Sequence, residues 1–206
     1  MRIYQHFSVV GFCNTYVVGS KKGGEAILID PGHVDNELIS IIERNNYTIS
    51  TILLTHRHES HTRGVGTLLK LYQPKIYAYT SKVYDFPVTE IKEDTTISCA
   101  GIDVKVMHLP GHSVDSLVYK IGHAIFTGDT LMASRIGSTP GYMERSLLIQ
   151  IIKKKLLNFN DNIIVFPGHG APSKIKNEIL FNPDLTEETA SPWLRNQIRL
   201  EKNNRF

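Results

Sequence analysis

The chain has 206 residues, of which 41% are hydrophobic, 21% charged and 9% aromatic, and its 23 basic and 20 acidic side chains leave a net charge of +3. This composition supports a sizeable core and excludes a disordered, collagen-like or coiled-coil chain. No apolar run reaches the roughly 20 residues of a membrane helix and no export signal is visible, so we expect a cytoplasmic protein without a membrane anchor. Cys13 and Cys99 form no CxxC pair, which indicates neither a disulfide framework nor a zinc-thiolate site.

The first half of the chain predicts a short meander followed by alternating strands and helices. Alternating and apolar runs predict strands over 2–9, 14–18, 26–30, 51–54 and 76–79. Apolar residues at helical spacing predict helices over 35–45 and 64–72. Gly11 separates the first two strands and Asp30-Pro31-Gly32 ends the third, so we expect a sharp turn at both places.

The second half predicts further strands and one long helix. Strands are expected over 102–107, 116–121, 124–127 and 163–166, with Gly122-His123 joining the middle two as a hairpin. The helix spans about 143–158, and its inward face is expected to contain Leu147, Leu148, Ile151, Ile152 and Leu156. Because strands outnumber helices and both are plentiful, the sequence predicts a layered α/β fold with its sheets at the centre.

The excess positive charge lies at the end of the chain. Residues 191–206 contain four cations and one anion, namely Arg195, Arg199, Lys202, Arg205 and Glu201. That segment therefore carries +3 and residues 1–190 sum to zero, which suggests a domain over 1–190 and a basic C-terminal helical tail over 191–206. The tail lacks the pattern of a nucleic-acid-binding segment. Trp193, Leu194 and Ile198 at near-helical spacing instead favour docking on the domain or on a second copy, as a homodimer.

Six residues able to bind a metal follow the ends of apolar segments. They are His56, His58, His61, His112, Asp129 and His169. In THRHESH the i, i+2 spacing points the first two imidazoles to one side of an extended segment, and the third follows as the chain enters a helix. Neutral imidazole is the commonest side-chain metal ligand. The pattern predicts a metal cluster, whereas His6, His33 and His123 are isolated in the sequence and are interpreted as structural residues.

Four segments resemble, in this order, the ligand motifs of the metallo-β-lactamase fold hydrolase superfamily. They are THRHESH, LPGHS, FTGDT and FPGHG, and Asp30-Pro31-Gly32 is similar to the acidic strand-end motif of the same family. The resemblance implies an α/β fold of four layers, an αββα sandwich in which helices flank two mixed β-sheets. It also implies a metal site at one edge between the sheets, with Asp30 supporting the metal loop through the ligands.

The resemblance assigns the six candidate ligands to two ions. It implies that the first ion is held by His56, His58 and His112, the second by His61 and His169, and both by Asp129. Zinc is the expected metal, with iron or manganese as alternatives. In this family a metal-bound water of lowered pKa supplies hydroxide to an electrophilic carbonyl.

One position departs from the family pattern HxHxDH. Ser60 stands where an aspartate ligates the second metal and helps to orient the water. A serine hydroxyl is a weak, neutral ligand, and the neighbouring Glu59 is expected to point in another direction. Ser60 and the bridging Asp129 are therefore the candidate catalytic residues. Three protein ligands remain for the second ion, so we expect either a single occupied site or a second ion that is labile.

The segment that follows Asp129 resembles the short glyoxalase II-like branch, whose members hydrolyse thioesters such as S-lactoylglutathione. This implies a hydroxyacylglutathione hydrolase-like enzyme with a small-molecule acyl substrate. Ser138-Thr139-Pro140 departs from the Arg-Thr-Asp usual in that branch, and 206 residues do not accommodate the separate helical domain that contacts glutathione. Esters, lactones and other acyl thiols therefore stay open as substrates.

Two functions of other kinds also stay open. One is persulfide oxidation by a mononuclear iron enzyme of the sulfur dioxygenase type. The other is a metal-binding scaffold or interaction protein without turnover, whose tail around Trp193 binds a partner. The presence of all six other ligand positions and of Asp30 favours an enzyme.

Overall fold

The structure, a computed structural model, describes residues 1–92 and 94–186. The strands are β1 (Arg2–Ser8), β2 (Cys13–Gly19), β3 (Gly24–Ile29), β4 (Tyr47–Leu53), β5 (Lys75–Ala78), β6 (Lys82–Val83), β7 (Phe86–Pro87), β8 (Thr89–Glu90), β9 (Thr95–Cys99), β10 (Ile102–His108), β11 (Leu117–Ile121), β12 (Ala124–Gly128), β13 (Leu131–Met132), β14 (Arg135–Ile136), β15 (Ile164–Pro167) and β16 (Ser173–Lys174). The helices are α1 (Asn36–Arg44), α2 (Glu59–Thr62), α3 (Val65–Tyr72), α4 (Tyr142–Lys155), α5 (Ile175–Phe181) and α6 (Pro183–Thr186). Every strand and helix that the sequence predicts within these residues is present, with bounds that differ by a few residues. The elements that the sequence did not predict are mostly short.

Two six-stranded mixed sheets form the centre of the molecule. Their strand orders are β1-β2-β3-β4-β5-β8 and β16-β15-β12-β11-β10-β9. In the first sheet β1, β2 and β3 are antiparallel neighbours, and β3, β4, β5 and β8 run parallel. In the second sheet β9 to β12 are antiparallel neighbours, and β12 runs parallel to β15. The predicted hairpin at Gly122-His123 joins β11 to β12.

Alternate side chains of the central strands enter different cores. On β3, Ile27 and Ile29 pack between the two sheets, whereas Leu28 faces the helices, because successive strand residues point to opposite faces. Helices α1 and α3 cover the outer face of the first sheet, and α4 and α5 cover that of the second. The predicted four-layer αββα sandwich is confirmed.

Helix α4 differs from its predicted inward face at Leu147, which is exposed, and at Ile149, which is buried although it was not predicted. Leu148, Ile152 and Leu156 are fully buried, as predicted, but Leu147 is 43% exposed. The prediction for Leu147 was wrong, because this residue lies about 100° around the helix from the buried stripe and at its solvent edge.

Strand direction brings several loops to one edge of the sandwich. The parallel pair β3 and β4 ends at this edge, and so do β12 and β15. Strand β10 runs in the same direction as β12, because both are antiparallel to β11. Backbone hydrogen bonds join the two sheets here, from Leu117 N to Thr55 O and from Asn14 N to Gly168 O, both 2.7 Å long. The loops beyond these strand ends carry most of the chemistry that the sequence predicts.

The boundary predicted between residues 190 and 191, and the helical tail over 191–206, lie outside the described residues. Across residues 1–92 and 94–186, none of the helices combines the length and the apolar character needed to span a bilayer.

Candidate metal centre

The structure brings four predicted ligand atoms together where β4, β10 and β12 end. They are His56 Nε2, His58 Nδ1, His112 Nε2 and Asp129 Oδ2. His58 Nδ1 lies 2.9 Å from His56 Nε2 and 3.2 Å from His112 Nε2, and Asp129 Oδ2 lies 3.6 Å from His112 Nε2 and 4.0 Å from His56 Nε2. Ligand atoms around a tetrahedral zinc ion are about 3.3 Å apart. We call these four residues the first ligand group.

A second ligand group contains His61, Asp129 and His169. His61 Nε2 lies 3.4 Å from Asp129 Oδ1, and His169 Nε2 lies 3.5 Å from Asp129 Oδ2. Asp129 thus belongs to both groups. Gly168 permits this close approach, because a Cβ atom at that position would lie 2.6 Å from Asp129 Oδ1.

The side chains of both groups fit the metal that the sequence resemblance implies. His61 Nε2 and Asp129 Oδ1 are buried and make no hydrogen bond in the described part of the chain. A buried polar atom without a partner destabilises a fold by about 1–3 kcal/mol. Both atoms face the second ligand group, so a cation held there would satisfy each of them.

Hydrogen bonds fix the imidazoles with their metal-facing nitrogens free. The opposite nitrogen of four histidines contacts an oxygen: His56 Nδ1 with Thr55 Oγ1 at 3.1 Å, His61 Nδ1 with Asp30 Oδ2 at 3.0 Å, His112 Nδ1 with Ser138 O at 2.7 Å and His169 Nδ1 with Phe12 O at 2.7 Å. A carbonyl oxygen only accepts, so Nδ1 of His112 and of His169 carries the proton. This hydrogen bond selects the tautomer in which a neutral imidazole has its lone pair on Nε2, the atom that lies toward Asp129 and that a metal ion requires.

Asp30 links the two ligand groups from behind. It follows β3 with a left-handed backbone (φ +51°). Its carboxylate accepts hydrogen bonds from Thr55 N and Thr55 Oγ1, both 2.7 Å long, in addition to the contact with His61. Because Thr55 Oγ1 donates to Asp30, it accepts from His56 Nδ1. One carboxylate thus orients a histidine of each group, the supporting position that the resemblance implied for it.

Glu59 does not replace the missing aspartate. It begins helix α2, and its carboxylate pairs with Arg63 at 2.9 Å on the helix surface, where 64% of the Glu59 side chain is exposed. Neither ligand group includes it. Ser60 lies partly buried in the same helix, and its Cβ is 3.1 Å from where a Cβ on Gly11 would stand. The second ligand group therefore has three protein residues, of which only Asp129 has a carboxylate.

Burial and neighbouring charges set the protonation of the cluster. Burial, with the neighbouring histidines, lowers the pKa of His56 to about 2, and burial beside His112 lowers the pKa of His58. Both imidazoles are therefore neutral near pH 7. Burial alone would lower the pKa of His61, but Asp30 and Asp129 outweigh it and raise this pKa. Burial likewise opposes ionisation of Asp129, but His61 and His56 hold its pKa below the usual range.

Two residues beside the ligands were not predicted from the sequence. Asp115 Oδ2 accepts hydrogen bonds from Arg57 N at 3.0 Å and Arg57 Nε at 3.1 Å, so it holds the peptide between His56 and His58. Cys13 Sγ lies 3.5 Å from His61 Nδ1, and burial raises the pKa of this thiol. No spacing rule points to Cys13, and Asp115 was overlooked although it lies three residues after His112.

An αββα sandwich whose sheet edge carries two His/Asp groups with a shared aspartate is the arrangement that the sequence resemblance implies for a superfamily of metallo-hydrolases. The sequence profile of the Metallo-beta-lactamase superfamily matches residues 8–169, and the chain belongs to that superfamily. An uncharacterized protein of Mycobacterium tuberculosis is 31% identical over 208 residues, covering 84% of this chain and 92% of that protein. A hydroxyacylglutathione hydrolase of Methylobacillus flagellatus is 27% identical over 173 residues, covering 81% of this chain and 66% of that enzyme.

Solved structures give the same result. The BLEG-1 B3 metallo-beta-lactamase is similar with a TM-score of 0.79 and 27% identity, covering 90% of this chain and all of that chain. TTHA1623, a protein crystallised in a di-iron-bound form, is similar with a TM-score of 0.76 and 25% identity, covering 87% of this chain and 98% of that chain. Members of this fold thus include proteins that hold two iron ions as well as a β-lactamase.

Proposed function

We propose that this protein is a metal-dependent hydrolase of thioesters or esters with a small acyl group, that zinc is its metal and that it works in the cytoplasm. The observation that carries the proposal is the convergence of two ligand groups on Asp129. In the second group, His61 Nε2 and Asp129 Oδ1 are buried and make no hydrogen bond among the described residues. The similarity to the hydroxyacylglutathione hydrolase of Methylobacillus flagellatus supports a thioester substrate. The remaining third of that enzyme has no counterpart in the match, so glutathione itself is not part of the proposal.

The chain's own residues prepare the centre for this reaction. A divalent ion at the first ligand group would supply a water molecule of lowered pKa and would polarise the carbonyl oxygen. His56 and His58 are neutral near pH 7 and so remain available as ligands. His112 directs Nε2 inward because its Nδ1 donates to Ser138 O. The group has a single carboxylate, so a bound divalent ion would keep a net positive charge beside the substrate.

Asp129 has the central catalytic role in this proposal. In the HxHxDH pattern a second carboxylate helps to orient the water, but Ser60 stands at that position here. Asp129 is the one carboxylate in the two ligand groups. Asp129 would therefore hold the ions and provide the one negative charge near the attacking water, and Ser60 contributes none. We expect the first ligand group to bind its ion more tightly than the second.

Metal content and turnover together test the proposal. Protein purified without added metal is analysed for metal ions per chain, and thioester hydrolysis is measured before and after addition of zinc, manganese or iron(II). Activity with close to two ions supports a dinuclear enzyme, and activity with one ion places the reaction at the first ligand group. Absence of metal and of turnover with any ion contradicts the proposal and favours a scaffold. If the protein consumes oxygen with a persulfide and hydrolyses no thioester, the result contradicts the proposal and favours the sulfur dioxygenase alternative.

A further inference from the structure

A pocket of about 540 Å³ opens directly beside the metal centre. Its wall includes the ligand residue His58 and two cationic side chains, Arg57 and Lys82. Tyr84 and Thr62 also line it. The volume lies within the range of small-molecule binding sites, roughly 300–1,000 Å³. Because His58 belongs both to this wall and to the first ligand group, a molecule in the pocket lies next to the proposed reaction site.

The pocket wall presents positive rather than negative charge. Its one carboxylate belongs to Asp115, whose side chain is only 3% exposed, whereas the Arg57 side chain is 55% exposed. The Asp115 oxygens are already occupied by Ser113 Oγ and by the two Arg57 nitrogens, N and Nε. The anion thus lies behind the wall and fixes the guanidinium by Nε. Arg57 and Lys82 both line the pocket, and both have exposed side chains.

A small hairpin holds Lys82 and Tyr84 in place. Strands β6 and β7 pair. Val83, between Lys82 and Tyr84, is buried in the core between the first sheet and its covering helices. Tyr84 has a left-handed backbone (φ +50°) and is 53% exposed. Its hydroxyl lies 3.2 Å from Thr62 Oγ1, which in turn lies 3.2 Å from His58 O. The hairpin is therefore tied to the metal loop and presents a cation and an aromatic ring at one wall.

We propose that this pocket binds a carboxylate carried by the substrate, so that the enzyme prefers thioesters or esters with an anionic end. A guanidinium and an ammonium that share a pocket recognise a carboxylate through charge-assisted hydrogen bonds. The exposed ring of Tyr84 gives the methylene groups between carboxylate and carbonyl an apolar surface. The inference rests on the proposed hydrolase function, and it adds the substrate class.

Matched substrate pairs test the preference. The acyl-side pair is the glutaryl thioester of N-acetylcysteamine and its terminal amide, which differ by one charge. The thiol-side pair is the acetyl thioester of 3-mercaptopropionate and that of 3-mercaptopropionamide. We expect kcat/KM for the carboxylate member of one pair to exceed that of its amide by about fivefold to tenfold. The pair that shows the effect identifies which end of the substrate enters the pocket.

Variants connect the preference to the pocket. In Lys82→Gln the preference should fall toward unity, and in Lys82→Glu it should reverse. Lys22→Gln is the matched control, because Lys22 is an exposed lysine in the β2–β3 turn at the opposite end of the strands. The preference should also shrink as ionic strength rises, since exposed charges are screened.

A binding measurement separates this inference from the proposed function. The probes are the non-hydrolysable thioethers that correspond to the preferred thioester and its amide, titrated into the metal-loaded protein by calorimetry. If the carboxylate probe binds more tightly than the amide probe, and Lys82→Gln abolishes this difference, the result supports the pocket even when no thioester is turned over. Turnover of both amides and carboxylates at equal rates, with equal binding in the Lys82 variants, overturns the pocket and leaves the hydrolase intact.

Discussion

The two ligand groups share Asp129 but differ in how their other members are held. The first has three histidines from two loops, and its His58 borders the substrate pocket. The second has His61, which is fully buried against Asp30 and Cys13, and His169, which follows β15. The first is therefore complete and open to substrate, whereas the second is buried on one side and short of a carboxylate. The difference suggests that one centre of this fold can lose a ligand while the other keeps its full set.

Buried polar atoms lie on the incomplete side. His61 Nε2 and Asp129 Oδ1 lie 3.4 Å apart but make no hydrogen bond among the described residues, and both belong to the second group. Three ligands with one carboxylate still attract a cation, but less strongly than four ligands with two carboxylates would. We therefore expect metal affinity, rather than the presence of the histidines, to distinguish the two groups.

Removal of one ligand from each group gives the largest expected effect. In His56→Ala we expect kcat/KM to fall at least about a hundredfold, because the first ion and its water are lost. In His169→Ala we expect loss of the second ion but a smaller fall in kcat/KM. Metal analysis and thioester hydrolysis measure both, and thermal unfolding of the metal-free proteins controls for stability. Equal losses of activity would show that both ions are needed and would remove the proposed difference.

Restoration of the missing carboxylate should strengthen the second group. In Ser60→Asp we expect the dissociation constant of the second ion to decrease about tenfold or more, because a carboxylate replaces a neutral hydroxyl. Ser60→Asn is the matched control, since it has nearly the same shape without the charge. Calorimetric metal titration measures the change. If the two variants bind the second ion alike, the serine does not explain its weakness.

The smallest expected effect concerns the loop that orients His112. Asp184 accepts hydrogen bonds from Ile136 N at 2.8 Å and Arg145 Nη2 at 2.7 Å. Burial raises the pKa of this carboxyl, but these hydrogen bonds outweigh it and leave the pKa below the usual value. A depressed folded-state pKa stabilises the fold above the unfolded pKa of about 3.9, and this contribution is lost as pH falls through the folded-state value. Because the pair is partly exposed, we expect about 1 kcal/mol or less.

Urea unfolding of the unaltered chain and of Arg145→Gln, with chelator present throughout, measures that contribution. The difference in unfolding free energy should be constant from about pH 7 to 5 and should shrink below about pH 4. In Arg145→Gln, metal binding at the first ligand group should weaken less than it does in His56→Ala. A difference that does not depend on pH would mean that Arg145 stabilises the helix by packing and not by its charge.

Local sequence patterns were sufficient for most of the fold. Strands such as β3 and β4 follow from apolar runs, and α1 follows from its apolar face. The structure adds the N-cap of α1, Asp35, whose Oδ1 accepts from Leu38 N at 2.9 Å. The inward face of α4 was wrong at Leu147, because periodicity does not show where a helix meets the sheet. The two-residue strands β6 and β7 lack a periodic signal, and with them the hairpin that carries Lys82 was missed.

The sequence by itself determined which residue types stand at the strand ends, and so the metal chemistry, the superfamily and the departure at Ser60. Spacing along one loop relates His56 to His58, since two residues apart on an extended chain share a side. The family resemblance already implied that both groups share Asp129 and that Asp30 supports the ligands. Only the tertiary structure decided that Asp30 orients a histidine of each group, and that Arg57 and Lys82 share one pocket. These contacts join segments far apart in the chain. Their geometry depends on strand direction and sheet packing, which no local pattern contains.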